Sequence, residues 1–517
     1  MDSKPSKTYL AAPCLAISAA LFFLGTGLSP LWALTWLAPI PVLWIAPRVS
    51  ARQAFFVALA AYALGGLNEW AYSRTVLPTF IVAGLLLASA CLFAAGALLF
   101  RYGVLHGKLW QAAVVFPAFW VTVEFVVAQL SVHGTFGNIS YSQMDFLPIL
   151  QIASVIGIWG ISFCLFLFAA TIAALAQSGP TLVKIRLAIA TVVFLAGVIG
   201  FGLWRIAATP KNSPTVKVAL MASDAPENVA ADTPAEAQAI FQRYAERIKL
   251  LSGRGIQLFI LPEHSGPVTD VSRPEADAFF QDLAKQNDAY IAVGIDRITP
   301  SVSWNQERLY SPQGEFVASY NKHHLLPHWE DRFAPDTKRT VVTGISGKWG
   351  LAICKDMDFP RLSREYSEDG VALLLVPAWD FVDDGWLHGR MAILRGVEGG
   401  FSIARSPKLG ILTATDDRGR VLAQRRTTGS QFATVVTDIP VRHDATIYSR
   451  FGNWFAWLCV LVFFSTALLV FRAPQTLAHR IKVSHYVQES DLERGHAERC
   501  ASGRTGNGPY RCTPPAW

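Results

Sequence analysis

The sequence predicts an α-helical membrane bundle of eight spans joined to an α/β domain. Hydrophobic residues make up 52% of the 517 residues and charged residues only 16%, whereas roughly a quarter of the residues in an average soluble protein are charged. Long charge-free stretches flank a segment, 211–450, in which short apolar runs alternate with polar helical stretches. The first observation excludes a wholly soluble protein, and the second predicts the α/β domain.

The charge-free stretches are long enough to cross a membrane as helices. A helix needs about 20 apolar residues to cross the hydrocarbon core, where it satisfies its own backbone groups. Residues 8–47 are sufficient for two spans, and each further stretch is interpreted as one span: 53–68, 75–100, 109–123, 146–183, 187–204 and 451–471. We therefore expect a seven-span domain at 1–210 and an eighth transmembrane helix at 451–472.

Basic residues predict the orientation of these helices, because Lys and Arg concentrate in cytoplasmic loops. If the N-terminus is cytoplasmic, most of the basic residues that flank the spans lie on that side: Lys4, Lys7, Arg48, Arg52, Arg101, Lys108, Lys184, Arg186, Arg472, Arg480 and Lys482. Seven crossings then place residues 211–450 outside the cytoplasm, and residues 473–517 are expected to form a disordered cytoplasmic tail. The excess of 45 Lys and Arg over 38 Asp and Glu fits such loops, so we expect no nucleic-acid partner.

The segment 211–450 is predicted to fold as one extracytoplasmic domain. Its short apolar runs predict strands at 216–221, 257–261, 289–295, 350–353 and 371–376. A helix is expected at 235–252, and a hairpin at 304–321 with its turn at Ser311–Gly314. A segment of about 240 residues can bury a large core as a single domain.

Three residues with useful chemistry follow the ends of predicted strands. They are Glu263, Lys322 and Cys354, and we expect them to converge, because ligands and catalytic groups gather at the carboxyl ends of strands in open sheets. Cys354 is the one cysteine of the predicted domain, among seven in the chain. In an oxidising compartment such a thiol is either buried and inert or retained for its reactivity. Both interpretations remain open, although the adjacent Lys355 favours the thiolate.

Three segments in this order, LPEHSGP, YNKHHLLPHWEDRF and GLAICKDMDFP, resemble the nitrilase (carbon-nitrogen hydrolase) superfamily, whose members use a Glu, Lys and Cys triad. Seven spans, an exported nitrilase-like domain and a final span resemble the apolipoprotein N-acyltransferase family. The segments LSPLWALTWLAPIPVLWI, GNISYSQMDFLPILQIASVIGIWGISF and ATIYSRFGNWFAWL are similar to its membrane and boundary segments. The resemblance implies an αββα sandwich in a multi-pass protein of the bacterial inner membrane, with the catalytic domain periplasmic and both termini cytoplasmic.

The resemblance also implies a reaction and the residues that perform it. Members of this family transfer an acyl chain from a membrane phospholipid, through a cysteine thioester, to the amino group of the diacylglyceryl-cysteine of an apolipoprotein. Cys354 would be the nucleophile, Glu263 the general base and Lys322 the cation that faces the developing oxyanion. Glu330 matches the second glutamate, which orients the site, and no cofactor is expected.

Four further residues are candidates for substrate binding. His264 adjoins Glu263 and is expected to line the same cleft. Trp329 and Trp379 lie in predicted loops, where they are either core or interfacial aromatics or form an apolar mouth for acyl chains, and the sequence leaves both interpretations open. Lys355 is followed by Asp356 where the family usually has an aromatic and an acidic residue. This departure concerns substrate binding more than the triad.

Alternative sites remain open from residue types alone. His264 or His324 would suit a Cys–His dyad. Three histidines and a carboxylate suggest a metal cluster: His323, His324, His328 and Glu330. Pro327 interrupts any helix that would present two of them on one face, so we expect no metal.

Two other functions are compatible with parts of the sequence. A membrane-anchored amidase or nitrilase would use the same triad with water as the acceptor. A non-catalytic transport protein would be expected to carry charges along its substrate path inside the spans, where the sequence has few besides Glu69 and Glu124. The sequence therefore favours an acyltransferase.

Overall fold

The computed structural model describes residues 8–210, 212–429 and 431–471. The chain divides into two compact units, Met1–Ala467 and Leu468–Trp517, and the predicted site lies in the first. The tail predicted at 473–517 lies outside the described residues.

The first two hundred described residues are almost entirely helical. The helices are α1 (Ala11–Gly25), α2 (Trp32–Leu37), α3 (Ile40–Ile45), α4 (Ala51–Gly65), α5 (Trp70–Val76), α6 (Thr79–Leu105), α7 (Leu109–Leu130), α8 (Leu147–Leu150), α9 (Ala153–Ile156), α10 (Ile158–Leu175) and α11 (Thr181–Ala207). Phenylalanine and alanine side chains fill much of the core between them, including Phe93, Phe116 and Phe166.

Five stretches among the described helices are long and apolar enough to cross a membrane. They are Ala51–Val76, Thr79–Leu105, Leu109–Leu130, Ile158–Leu175 and Thr181–Ala207. The predicted total of eight spans is not confirmed. Where two spans were expected at 8–47, the chain forms α1 and then α2 and α3 of six residues each. Pro39 and Pro41 stand at the start of α3, and proline has no N–H to continue a preceding helix.

The chain from Thr215 to Pro440 carries the strands of the α/β domain. The strands are β1 (Thr215–Ala222), β2 (Leu258–Ile260), β3 (Pro267–Val268), β4 (Tyr290–Ile298), β5 (Ser303–Tyr310), β6 (Phe316–Asn321), β7 (Thr340–Gly344), β8 (Gly347–Leu351), β9 (Val371–Trp379), β10 (Ser402–Lys408), β11 (Ile411–Thr415), β12 (Val421–Arg426) and β13 (Ala433–Pro440). One sheet has the order β13-β1-β2-β4-β5-β6, with β3 beside β4, and the other has the order β12-β11-β10-β9-β8-β7.

The two sheets face each other across an apolar core, which contains Val218, Leu258 and Leu373. The helices are α12 (Pro226–Val229), α13 (Pro234–Lys249), α14 (Arg273–Asn287), α15 (Pro360–Glu368), α16 (Gly385–Gly399), α17 (Ile447–Phe451) and α18 (Trp454–Phe471). Helices α13 and α14 pack on the outer face of the first sheet, and α15 and α16 pack on that of the second. The layers therefore have the αββα order that the resemblance implies.

Strand directions bring the predicted residues to one end of the sandwich. In the first sheet β2 is parallel to β4, and β6 is parallel to β4 because β5 is antiparallel to both. Glu263 follows β2 and Lys322 follows β6, so both lie at the same edge. In the second sheet β8, β9 and β10 are mutually parallel, and Cys354 follows β8. Each of the three residues thus follows the carboxyl end of a strand.

Hydrogen bonds tie the α/β domain to the helical region. The backbone N–H of Ile158 donates to Glu398 at 2.9 Å, and Gln151 donates to the carbonyl of Arg418 at 2.9 Å. Thr135, in the loop after α7, donates to the carbonyl of Asp358 at 2.7 Å. The loop after α7 is therefore fixed next to the turn that carries Cys354.

Candidate active site

A buried lysine lies between two carboxylates at the end of the sandwich. The Nζ of Lys322 is 2.8 Å from Oε1 of Glu263 and 2.8 Å from Oε2 of Glu330. Asn305, at the start of β5, donates to Glu263 at 2.5 Å and to Glu330 at 2.7 Å. All four side chains are buried. The amide and the ammonium hold the two carboxylates in fixed positions.

Charge keeps Lys322 and Glu330 ionised although burial opposes it. Burial disfavours the Lys322 ammonium, but the charges of Glu263 and Glu330 outweigh that cost and raise the pKa of Lys322 well above its ordinary value. Burial likewise disfavours the Glu330 carboxylate, yet Lys322 and His264 lower the pKa of Glu330 below its ordinary range. A fixed positive charge therefore persists at neutral pH.

Cys354 begins a tight turn directly after β8. Its φ is 44°, a left-handed conformation that non-glycine residues adopt rarely and that is concentrated at functional sites. Its Sγ lies 3.5 Å from the carbonyl oxygen of Trp379. Enclosure by protein and the charge of Glu263 raise the pKa of the thiol, against the opposing charges of Lys322 and Arg405. The thiol is therefore protonated at rest, and its nucleophilic attack requires a base.

His264 adds a second cation beside the carboxylates. Its Nδ1 contacts Asp296, and its Nε2 is 3.1 Å from the Asn305 amide and 3.4 Å from Glu330. Burial acts against the charged imidazole, but the carboxylates, above all Asp296, raise the pKa of His264 to about 9. His264 contacts the carboxylates of the site. Among the described residues it has no hydrogen bond to Cys354, which a Cys–His dyad with His264 would require.

Asp356 fixes the turn that carries Cys354, a role that residue types alone did not reveal. Its buried carboxylate accepts hydrogen bonds from the N–H of Ile353 at 3.0 Å, the hydroxyl of Tyr320 at 2.7 Å and the N–H of His324 at 3.0 Å. It thereby links the residue before Cys354 to the strand and the loop that flank Lys322. The available signal was its position two residues after the cysteine.

Lys408, at the end of β10, is a further residue that the sequence did not single out. It is buried, it donates to the carbonyls of Val229 and His264, and its Nζ lies 4.0 Å from the centre of the Trp379 ring. Burial lowers the pKa of Lys408 to about 7. The sequence did not indicate that Lys408 is buried at the site, because a lysine at a strand end is ordinarily solvated.

The predicted binding residues occupy different places around the same cavity. Trp379 lies beside His264, with ring centres 5.7 Å apart. Trp329 is 57% exposed and contacts Phe381. Lys355 is buried, and its Nζ is 3.3 Å from Nδ1 of His133 in the loop after α7.

The histidines of the loop after Lys322 do not converge on a metal site. His324 stacks on Phe359 with ring centres 3.6 Å apart, whereas His328 is largely exposed. Two other groups among the described residues have ligand atoms close enough for an ion: Glu263, His264 and Glu330, and Asp380, Asp384 and His388. In the first group the Lys322 ammonium contacts both carboxylates. The donor set there is already neutralised by protein cations.

One cavity connects the site to the helical region. Its volume is about 920 Å³, and its wall includes Glu263, Lys322 and Cys354. Apolar side chains of the membrane helices continue the wall, among them Val82, Leu85, Leu86, Leu92, Val123 and Val127. The cavity therefore brings a thiol, a carboxylate and an ammonium group together with a long apolar wall.

Comparison with known proteins supplies the family. Residues 18–171 match the apolipoprotein N-acyltransferase N-terminal domain, and residues 218–430 match the carbon-nitrogen hydrolase domain. The apolipoprotein N-acyltransferase of Geobacter metallireducens is 26% identical over 91% of this chain and 96% of its own length. That of Haemophilus influenzae is 26% identical over 84% of this chain and 89% of its own length.

Among solved structures, an amidase from Nesterenkonia sp. is similar with a TM-score of 0.39, at 20% identity over 46% of this chain and 95% of that chain. The assignment depends on the domain matches and the sequence relatives. Both characteristic domains are present in the same order in one chain, and the relatives align over nearly their whole length. The chain therefore belongs to the apolipoprotein N-acyltransferase family.

Proposed function

We propose that this protein transfers a fatty acyl chain from a membrane phospholipid to the N-terminal amino group of the diacylglyceryl-cysteine of apolipoproteins. The observation that carries the proposal is the cavity, which joins Cys354, Glu263 and Lys322 to an apolar space between membrane helices. An acyl donor with two long chains fits such a space, whereas a small amide would need little of it. Relatives that align with most of the chain are named apolipoprotein N-acyltransferases.

In the first step Cys354 becomes acylated. The Glu263 carboxylate removes the thiol proton while Sγ attacks the ester carbonyl of the phospholipid. Lys322 stabilises the negative charge that develops on the carbonyl oxygen, because a preorganised cation in a water-poor site costs no reorganisation during the reaction. The C–O bond then breaks, protonated Glu263 returns its proton to the departing alkoxide oxygen, and a lysophospholipid leaves. Cys354 retains the acyl chain as a thioester.

In the second step the acyl chain passes to the amine. The neutral amino group of the lipoprotein attacks the thioester carbonyl, and Glu263 accepts one of its protons. The C–S bond breaks as the amide C–N bond forms, and the departing sulfur is protonated again by Glu263. Glu330 serves to orient Lys322 through their 2.8 Å contact, and His264, Trp329 and Trp379 line the space around the reactants.

For the membrane arrangement we propose eight spans with both termini in the cytoplasm of a bacterial inner membrane. The proposed parts are a seven-span domain at 1–210, a periplasmic catalytic domain at 211–450, an eighth helix at 451–472 and a cytoplasmic tail at 473–517. Five long apolar helices and the basic residues of the loops support this arrangement. Val271 is 92% exposed in the catalytic domain, so Val271→Cys should react with an impermeant maleimide added to intact spheroplasts. If Val271→Cys is labelled only after the membrane is disrupted, the catalytic domain lies on the cytoplasmic side and the proposed orientation is wrong.

Intact-protein mass spectrometry tests the proposed reaction. After incubation with a phospholipid, the purified protein should gain the mass of one acyl chain, which hydroxylamine removes and Cys354→Ser abolishes. Cys91→Ser, which alters a thiol of α6 outside the cavity wall, should still be acylated. Failure of the native protein to gain the chain, together with release of ammonia from small amides, would favour an amidase instead.

A further inference from the structure

Three nitrogen-bearing side chains form one wall of the cavity beside the turn of Cys354. Lys355 follows Cys354 directly, His133 lies in the loop after α7, and His388 lies in α16. All three line the cavity, and none takes part in the proton-transfer or bond-breaking steps proposed above. We refer to Lys355, His133 and His388 as the nitrogen cluster.

The Lys355 ammonium has donors that the described protein atoms do not saturate. Its Nζ lies 3.3 Å from Nδ1 of His133, 3.5 Å from Oδ2 of Asp358 and 5.4 Å from the centre of the Phe359 ring, which accepts no conventional hydrogen bond. The second distance exceeds the 2.7–2.9 Å that is usual for a charge-assisted hydrogen bond. The side chain is only 6% exposed, so bulk water does not replace these contacts. A buried ammonium with such long contacts has hydrogen bonds available for a ligand in the cavity.

His133 is neutral and offers a further donor. Burial and the nearby charge of Lys355 lower the pKa of His133. Because Nδ1 accepts from the Lys355 ammonium, the one proton of the neutral ring resides on Nε2. The ring therefore contributes an N–H donor within the same wall, and the contact with Lys355 fixes which nitrogen carries it.

His388 contributes a positive charge whose counter-ions lie behind the wall. Its Nδ1 is 3.0 Å from Asp384 and 3.6 Å from Asp380. Asp384 also accepts from the hydroxyl of Tyr72 at 2.6 Å, and Asp380 is paired with Arg405. Burial disfavours the imidazolium, but these carboxylates raise the pKa of His388 to about 10. Asp380 and Asp384 do not belong to the cavity wall, whereas His388 does.

Among the described residues of the wall, Asp358 is the carboxylate within 3.5 Å of the Lys355 ammonium, so the donors of the nitrogen cluster outnumber it. We propose that the nitrogen cluster binds the phosphodiester group of the glycerophospholipid that donates the acyl chain. The proposal rests on the proposed function. In a glycerophospholipid the phosphodiester and the ester carbonyl are close, because both are attached to the same glycerol. In the protein Lys355 and Cys354 are also close, because they are adjacent residues. Binding of the phosphodiester at Lys355 would thus hold the ester carbonyl near Cys354.

Binding without turnover tests the cluster separately from the chemistry. The full-length Cys354→Ala protein in a phosphate-free detergent is titrated with a dihexanoyl phosphatidylglycerol and with dihexanoylglycerol, which lacks the phosphodiester. Lys355→Met should raise the Kd of the phospholipid about tenfold to hundredfold, because hydrogen bonds to charged groups contribute about 1.5–3 kcal/mol. The Kd of dihexanoylglycerol should change less than about twofold. Lys355→Arg should retain most of the phospholipid affinity.

A matched variant and a competitor complete the test. Lys348→Met removes an exposed lysine of β8 and should leave both dissociation constants unchanged. Asp358→Asn, which removes the nearest competing carboxylate, should lower the Kd of the phospholipid. Equal loss of affinity for both lipids in Lys355→Met, or no loss for either, would overturn the proposal. Inorganic phosphate that competes as well as glycerophosphoglycerol would instead assign the cluster to free phosphate.

Acylation of the native protein separates the two hypotheses. If Cys354 is never acylated but the phosphodiester-dependent difference in Kd persists, the proposed function fails and the binding site stands. If acylation proceeds and Lys355→Met lowers kcat/KM equally for phospholipid and diacylglycerol donors, the binding site fails and the proposed function stands.

Discussion

At the scale of single residues, Lys322 neutralises Glu263 and Glu330, and in the proposed mechanism it also supplies the cation for an oxyanion. We predict that Lys322→Met slows acylation of Cys354 about 10²–10³-fold, as loss of an oxyanion-stabilising group does. It should also lower the free energy of unfolding by about 3–5 kcal/mol, because it leaves buried carboxylates without their partner. Acylation kinetics and urea unfolding measure the two effects.

Lys338→Met is the control for this variant, since Lys338 is exposed on the loop before β7. It should change neither the acylation rate nor the unfolding free energy by a measurable amount. Wild-type acylation in Lys322→Met would contradict the role given to the ammonium.

His264 predicts a pH dependence of stability. Its pKa is about 9 in the folded protein and about 6.5 in an unfolded chain. The folded state therefore binds the proton more tightly, and the resulting stabilisation is complete below about pH 6.5 and is lost as the pH rises through about 9. We expect His264→Gln to remove this loss of stability between pH 7 and 10, as measured by thermal unfolding. His328→Gln, at an exposed position, should retain it.

At the scale of elements, the turn Cys354–Asp358 depends on one carboxylate. Asp356 accepts from groups on β6, on the loop after Lys322 and on the residue before Cys354. In Asp356→Asn the side-chain NH₂ group would face N–H and O–H donors that now donate to the carboxylate. We therefore predict that kcat falls about 10–100-fold, because the nucleophile is misplaced. The KM for phospholipid should stay within about twofold, because this residue does not bind the lipid. A change in KM as large as the change in kcat would indicate general unfolding instead. Asp331→Asn, at an exposed position, is the control and should change neither constant.

The strands that sequence alone could predict are those with continuous apolar runs and the two strands of the hairpin, β5 and β6, which the turn at Ser311–Gly314 indicated. β1, β2, β4, β8 and β9 were predicted within a few residues of their observed bounds. β10 was missed because its seven buried residues include Arg405 and Lys408, which are buried only because Asp380 pairs with the arginine and backbone carbonyls accept from the lysine. β12 was missed because nearly all of its residues are exposed at the edge of the second sheet.

The candidate site could be predicted as a set of residues but not as a geometry. Order along the chain and position after strands were sufficient to select Glu263, Lys322 and Cys354. The contributions of Asn305 and Asp356 depend on which strands are neighbours in the sheet, and no local pattern reports that. The same limit applies to Lys355, whose contact with His133 joins parts of the chain more than two hundred residues apart.

At the scale of the whole molecule, the cavity makes the membrane helices part of the reaction space. Ala128 of α7 lines this cavity. We predict that Ala128→Trp lowers kcat/KM for donors with long acyl chains more than for donors with short chains, because the indole fills space that the distal carbons need. Val192→Trp, on the exposed face of α11, should leave the chain-length profile unchanged. A uniform loss across chain lengths would contradict an acyl path beside Ala128.

The cavity at Cys354 has a kinetic consequence. Donor and acceptor approach the same sulfur through the same volume, so the lysolipid product must depart before the lipoprotein can enter. Double-reciprocal plots at several fixed acceptor concentrations should then give parallel lines, the signature of a ping-pong mechanism. Between the two steps the thioester-bound acyl chain would lie among the apolar side chains of the cavity. Exclusion of water there would slow hydrolysis of the thioester. The protein would thus act as a temporary store of activated fatty acid at the membrane surface.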